Sequence, residues 1–124
     1  MLVATAAART GDYAKAVELA TTACAPLEQI RDELNLFRAY NVLGGAAFER
    51  GALTEATAHY ERAFQIARDL SDPILIGRVA MNQASIRHLR GDSWAAERLY
   101  RQALRWFESA EDVRGQAQAH QNLA

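Results

Sequence analysis

The sequence predicts an all-α chain of antiparallel helix pairs that repeat at intervals of 40 residues. Three observations carry this. Gly11, Gly51 and Gly91 stand 40 residues apart, and so do Asp32, Asp72 and Asp112. Between these markers apolar residues recur at steps of three and four, the helical period. No segment alternates with period two for long enough to make a strand.

The elements follow in order. Residues 2–10 are apolar and Ala-rich and read as a short first helix. This stretch is far too short to cross a bilayer and lacks the basic start of a signal peptide. After Gly11-Asp12 a helix is expected over 13–30. Pro26 lies inside it and predicts a kink or break near Thr22, because proline removes one backbone bond and crowds the carbonyl four residues earlier. The next helix, 34–50, carries Leu36, Phe37, Tyr40, Leu43 and Ala47 on a wide apolar arc. Gly51 closes it, and 54–70 repeats the pattern with Ala56, Tyr60, Ala63, Phe64 and Ala67. Ser71-Asp72-Pro73 breaks the chain, with Pro73 suited to the first turn of a helix over 73–90. Gly91 ends that helix; 93–108 and 113–124 complete the series. Asp12, Thr54 and Asp92 are the expected N-caps of the second helix of each pair.

Small residues keep the same interval: Ala4, Gly44, Ala84 and Ala124; Ala16, Ala56 and Ala96; Ala23, Ala63 and Ala103. Helix axes approach closely only where side chains are small. Large neighbours fill the holes beside them: Leu43 by Gly44, Tyr60 and Phe64 by Ala63, Tyr100 and Leu104 by Ala103. One pair cannot bury its apolar face alone, so stacked neighbours must complete the core. Repeats are expected at about 1–31, 32–71 and 72–111, with a partial one at 112–124, together forming a single domain.

Composition narrows the function. The chain has 124 residues, of which 50% are hydrophobic, enough for a packed core. Its net charge of −1 gives no electrostatic footprint for nucleic acid. Lys15 is the only lysine, and the richness in Ala and Arg hints at a GC-rich bacterial genome. The single cysteine, Cys24, excludes an intrachain disulfide. A cytoplasmic location away from membranes is the default expectation.

Within each unit the small residues are separated by 12 and then 7, as in Gly44, Ala56 and Ala63. Gly11-Asp12-Tyr13 makes a turn between helices, with degraded copies at Gly51-Ala52-Leu53 and Gly91-Asp92-Ser93. Asn41-Val42-Leu43-Gly44 looks like a first-helix signature, and Gln121-Asn122-Leu123-Ala124 begins another. On these features the chain resembles the tetratricopeptide repeat family over its full length. Its period departs from the commoner value of about 34 and is similar to the long-period repeats of kinesin light chains and of the sensor regions of bacterial signal-transduction ATPases. Gln83 stands where the family expects Leu. HEAT-type helix pairs share the period but do not explain the Gly-Asp-Tyr turn.

The resemblance implies a right-handed α-solenoid whose first helices line a concave groove. The polar stripe on those helices is then Arg38, Asn41, Gly45 and Glu49; Arg78, Asn82, Ser85 and His88; and Gln118, Gln121 and Asn122. Arg38, Arg78, Gln118 and the Asn82–Asn122 pair align across units. Axes about 8–10 Å apart would meet an extended peptide, rising about 3.3 Å per residue, at roughly every third residue. Asn and Gln both donate and accept, and Arg pairs bidentately with a carboxylate. Such a groove suits a partner's backbone plus an acidic side chain or C-terminus; plain solvated polarity is the alternative. The family's carboxylate clamp of Lys, Asn and Arg is not reproduced, since Lys15 lies on a second helix.

No catalytic constellation stands out: the sequence contains no P-loop, GxGxxG or GxSxG. No cofactor and no metal site is expected. His59, His88 and His120 read as surface or edge histidines, and Cys24, aligned with Phe64 and Leu104, as a small core residue. Trp94 either marks a contact surface or packs on the preceding turn. Trp106 and Phe107 should pack on the helix that begins near Val113.

The expected function is a scaffold that binds a peptide or protein, as part of a larger bacterial regulator. The alternatives are a ligand-sensing region of such a regulator and an end-to-end assembly module; an enzyme is the weakest reading. The short first unit and the half-repeat at Leu123-Ala124 lack polar caps. A segment of a longer array, or self-association through the ends, is therefore expected.

Overall fold

A computed structural model describes residues 13–123. Among the described residues the chain is entirely helical, without strands. The helices are α1 (Tyr13–Gln29), α2 (Glu33–Glu49), α3 (Leu53–Asp69), α4 (Pro73–Leu89), α5 (Ser93–Ser109) and α6 (Val113–Leu123). The helix expected at 2–10, the Gly11-Asp12 turn with its cap, and the small residues Ala4 and Ala124 lie outside the described residues.

The first five helices are each 17 residues long, and every link between helices has three residues. The middle residue of every link has left-handed backbone: Arg31, Gly51, Ser71, Gly91 and Glu111, with φ between 52° and 81°. The links close alike. The Gly51 N–H donates to the Phe48 carbonyl and the Ala52 N–H to the Ala47 carbonyl. The same two bonds recur around Arg31, Ser71, Gly91 and Glu111. This pattern satisfies the last carbonyls of each helix. The residue columns therefore repeat at 40, but the backbone repeats at 20.

The residue after the left-handed one starts the next helix. Asp32 accepts from the Asn35 N–H, Asp72 from the Ile74 and Leu75 N–H groups, and Asp92 from the Ala95 N–H. Pro73 occupies the first turn of α4 as expected. Thr54 is not a cap. The closing bonds at Gly51 fix the restart, so α3 begins at Leu53 and Thr54 lies inside its first turn.

Pro26 does not break α1, which is continuous from Tyr13 to Gln29. The proline is exposed and sits in the last turn, and its own carbonyl still accepts from Ile30. Only the bond to the Thr22 carbonyl is lost, which one exposed turn tolerates.

The described chain falls into two compact units that divide between Ile66 and Ala67. In the first, α1 packs on α2 around Ala20, Ala39 and Leu43, with Val17, Cys24, Tyr40 and Val42 against them. The ring of Tyr60 on α3 lies over Gly44 of α2, so close that an added Cβ would stand 2.6 Å from it. In the second unit, α4, α5 and α6 meet around Ala80, Ala103, Phe107 and Ala119. The ring of Phe107 lies against Gly77 on α4 and Gly115 on α6. Both units rely on glycine where two helices must come within a ring's thickness of each other.

Phe107 thus packs on α6 as expected. Trp106 remains 42% exposed, whereas Phe107 is buried and takes the inward position of that turn.

Candidate functional site

Two places on the described chain gather chemistry. The first is the polar row expected on α2, α4 and α6. Arg38, Arg78, His88, Gln118 and Asn122 are exposed, whereas Asn41, Asn82 and Ser85 are half-buried. Arg38 donates to the Asn35 side-chain oxygen at 3.4 Å. On α4, Arg78, Asn82 and Ser85 follow one another at steps of four and three, which keeps them on one face. Ser85 is held at the edge of that face: its hydroxyl donates back to the Met81 carbonyl and lies 3.3 Å from the Tyr100 hydroxyl on α5. On α6, the Gln118 amide donates to the Asn122 oxygen at 3.4 Å. Helices α4 and α6 pack on each other within the second unit, so their polar residues belong to neighbouring elements. Arg38 and Asn41 stand on α2 in the first unit.

The second place was missed by the sequence reading. It is a cleft of about 340 Å³ in the first unit, lined by Val17, Thr21 and Cys24 of α1, Tyr40 and Leu43 of α2, Arg50, and Glu55 and His59 of α3. The Tyr40 hydroxyl donates to Glu28 at 3.2 Å. The Arg62 guanidinium lies 5.7 Å from the Tyr40 ring centre, and the His59 ring 6.1 Å from it. Arg50 and Glu55 form an ion pair with each other.

These surroundings set the protonation of the cleft. Burial pushes the Cys24 thiol up, helped by the Glu28 charge and opposed by Tyr40 and Arg62. Burial likewise raises the Tyr40 phenol, with Cys24 adding to it. Burial lowers the His59 imidazole below its usual value, with Glu55 opposing and Arg50 assisting. All three groups are therefore held toward their neutral forms. Cys24 does pack on the core, as expected, but it also lines this cleft. A signal for it existed: positions 64 and 104 in the same column hold Phe and Leu, so the cysteine leaves space.

Among the described residues, no group of three His, Cys, Asp or Glu side chains is placed to hold a metal ion. His88 and His120 are exposed, in line with surface histidines, and His59 is half-buried at the cleft. Trp94 is 69% exposed, with the Arg98 guanidinium 4.8 Å from its ring centre, so it does not pack into the preceding turn. No helix among the described residues is long and apolar enough to cross a membrane.

Comparison with family models gives a match to the tetratricopeptide repeat over residues 35–109, more than half of the chain. No curated protein matches the sequence.

Proposed function

The chain belongs to the tetratricopeptide repeat family, and from that membership we propose that it binds an extended peptide across the polar face of α4 and α6. Repeats of this family generally mediate protein–protein interactions and typically act as scaffolds rather than enzymes.

The observation that carries the proposal is the pairing of two polar rows on packed neighbours: Arg78, Asn82, Ser85 and His88 on α4, and Gln118 and Asn122 on α6. Amide side chains at both rows offer donors and acceptors to a peptide backbone. Arg78 offers a fork for an acidic side chain or a terminal carboxylate. The partner is thus a polypeptide with an acidic residue or C-terminus, and the chain is its docking module within a larger bacterial regulator.

A displayed library of random peptides, selected on the full chain, tests this. Selected peptides should be enriched in acidic residues. Arg78→Ala should weaken them, and so should rising salt. Unchanged affinity in both measurements would move the binding surface away from this face.

A further inference from the structure

The cleft between α1, α2 and α3 has features that the peptide-binding reading does not use. It lies where the first repeat places a cysteine and the next two place Phe64 and Leu104, and where the second repeat places His59 and the third Leu99. In the second unit the corresponding large residue, Leu104, packs against the Ala80, Ala103, Phe107 and Ala119 cluster. In the first, the space stays open and is bounded by side chains that can make directional contacts. Its volume lies near the lower end of small-molecule sites, which hold about 300–1,000 Å³.

We propose that this cleft is a binding site for a small neutral aromatic molecule of one or two fused rings, carrying a hydroxyl or ring N–H. Val17 and Leu43 give it apolar walls. The Tyr40 and His59 rings stand tilted by 34° to each other, an arrangement that offers both ring edge and ring face to an incoming aromatic group. The Cys24 sulfur adds a polarizable contact, which aromatic rings favour over aliphatic ones. Thr21, Tyr40 and His59 supply hydrogen-bonding groups for one polar substituent. The charged lining residues, Arg50 and Glu55, are paired with each other, so a charged ligand finds no unmatched partner among the lining groups. The remaining titratable groups are held toward neutrality, as described above.

The test titrates indole, phenol and cyclohexanol separately into the full chain and follows the His59 ring protons by nuclear magnetic resonance. Indole or phenol should give saturable shifts that cyclohexanol, a non-aromatic alcohol of similar size, does not match. Cys24→Leu restores the bulk found at position 104 and should weaken indole binding by at least about tenfold without lowering Tm. Cys24→Ser keeps the space and loses only the sulfur contact, so it should bind more weakly than the parent but more tightly than Cys24→Leu. Should Cys24→Leu fail to fold, Thr21→Phe blocks the cleft from an exposed wall position and should abolish the shifts. Absence of saturable shifts with both aromatic probes, equal binding of cyclohexanol, or undiminished binding by the filled variants would each overturn the proposal. Peptide binding at α4 and α6 is read with other variants, so either result stands without the other.

Discussion

The α2–α3 pair and the α4–α5 pair derive from one repeat pattern, yet each is locked at a different height. In the first pair the ring is Tyr60 and the hole is Gly44, near the connecting link. The equivalent positions in the second pair are Tyr100 and Ala84. There the added methyl group coincides with a tyrosine that is only half-buried and shares its hydroxyl with Ser85. In the second pair the ring is Phe107 and the hole is Gly77, far from the link that joins α4 to α5, with Gly115 of α6 against the same ring. The equivalents of Phe107 and Gly77 in the first pair are Ala67 and Phe37, with large and small exchanged, and both are buried. A repeat therefore conserves the need for one close helix approach per pair, not its location. Moving the glycine moves the lock.

The largest effect should come from removing the ring that bridges three helices. Phe107→Ala should destabilise the chain by about 3–5 kcal/mol in chemical denaturation, the range for deleting a buried aromatic ring. Tyr60→Ala should cost less, because Gly44 backs its ring on one helix only. Equal losses would mean that Gly115 adds nothing to the second lock.

Filling the holes comes next. Gly77→Ala and Gly44→Ala each drive a Cβ into a ring, at 2.7 and 2.6 Å respectively, and should destabilise by about 1–3 kcal/mol. Ala63→Leu, at a fully buried position of α3, should fall in the same range. Gly44→Ala also recreates Ala84, so Tyr60 should swing outward as Tyr100 does. Tyr60 reports this directly. Burial, with a contribution from Glu49, pushes its phenol up to about 12. A group whose folded pKa is raised contributes stability that is present below the unfolded value of about 10 and is lost as pH rises through the folded value. The parent should therefore lose stability between about pH 10 and 12. In Gly44→Ala, absorbance titration should show the phenol moving back toward its ordinary value. A phenol that stays near 12 would show that the ring keeps its place and α2 yields instead.

The smallest effects lie in the links. Gly51→Ala should destabilise by about 1 kcal/mol, since φ is +76° and alanine resists left-handed backbone. Ser71→Gly reverses that change at an equivalent link with φ +52°, and should stabilise by a few tenths of a kcal/mol up to about 1. Thermal melting of the two variants should give shifts of opposite sign. Shifts of the same sign would break the equivalence of the two kinds of link.

The sequence by itself determined the helices and their ends. Steps of three and four, Gly51 and Gly91 as helix stops, Asp92 as a cap and Pro73 as a first-turn residue all follow from backbone energetics that act within a few residues. Even so, the columns at 40 concealed the backbone period of 20, because Arg31, Ser71 and Glu111 take the left-handed conformation without being glycine. Thr54 was misplaced because the closing bonds at Gly51 fix the helix start at Leu53. The polar row was legible as spacing, but not the half-burial of Asn41, Asn82 and Ser85, nor the hydroxyl contact between Ser85 and Tyr100. Tertiary structure alone decided which ring enters which glycine hole, that Phe107 is buried while Trp106 stays partly exposed, and that Cys24 leaves a cleft rather than only filling core. Those outcomes depend on side chains far apart in sequence, brought together by interhelix distance and register, and no local preference encodes that distance.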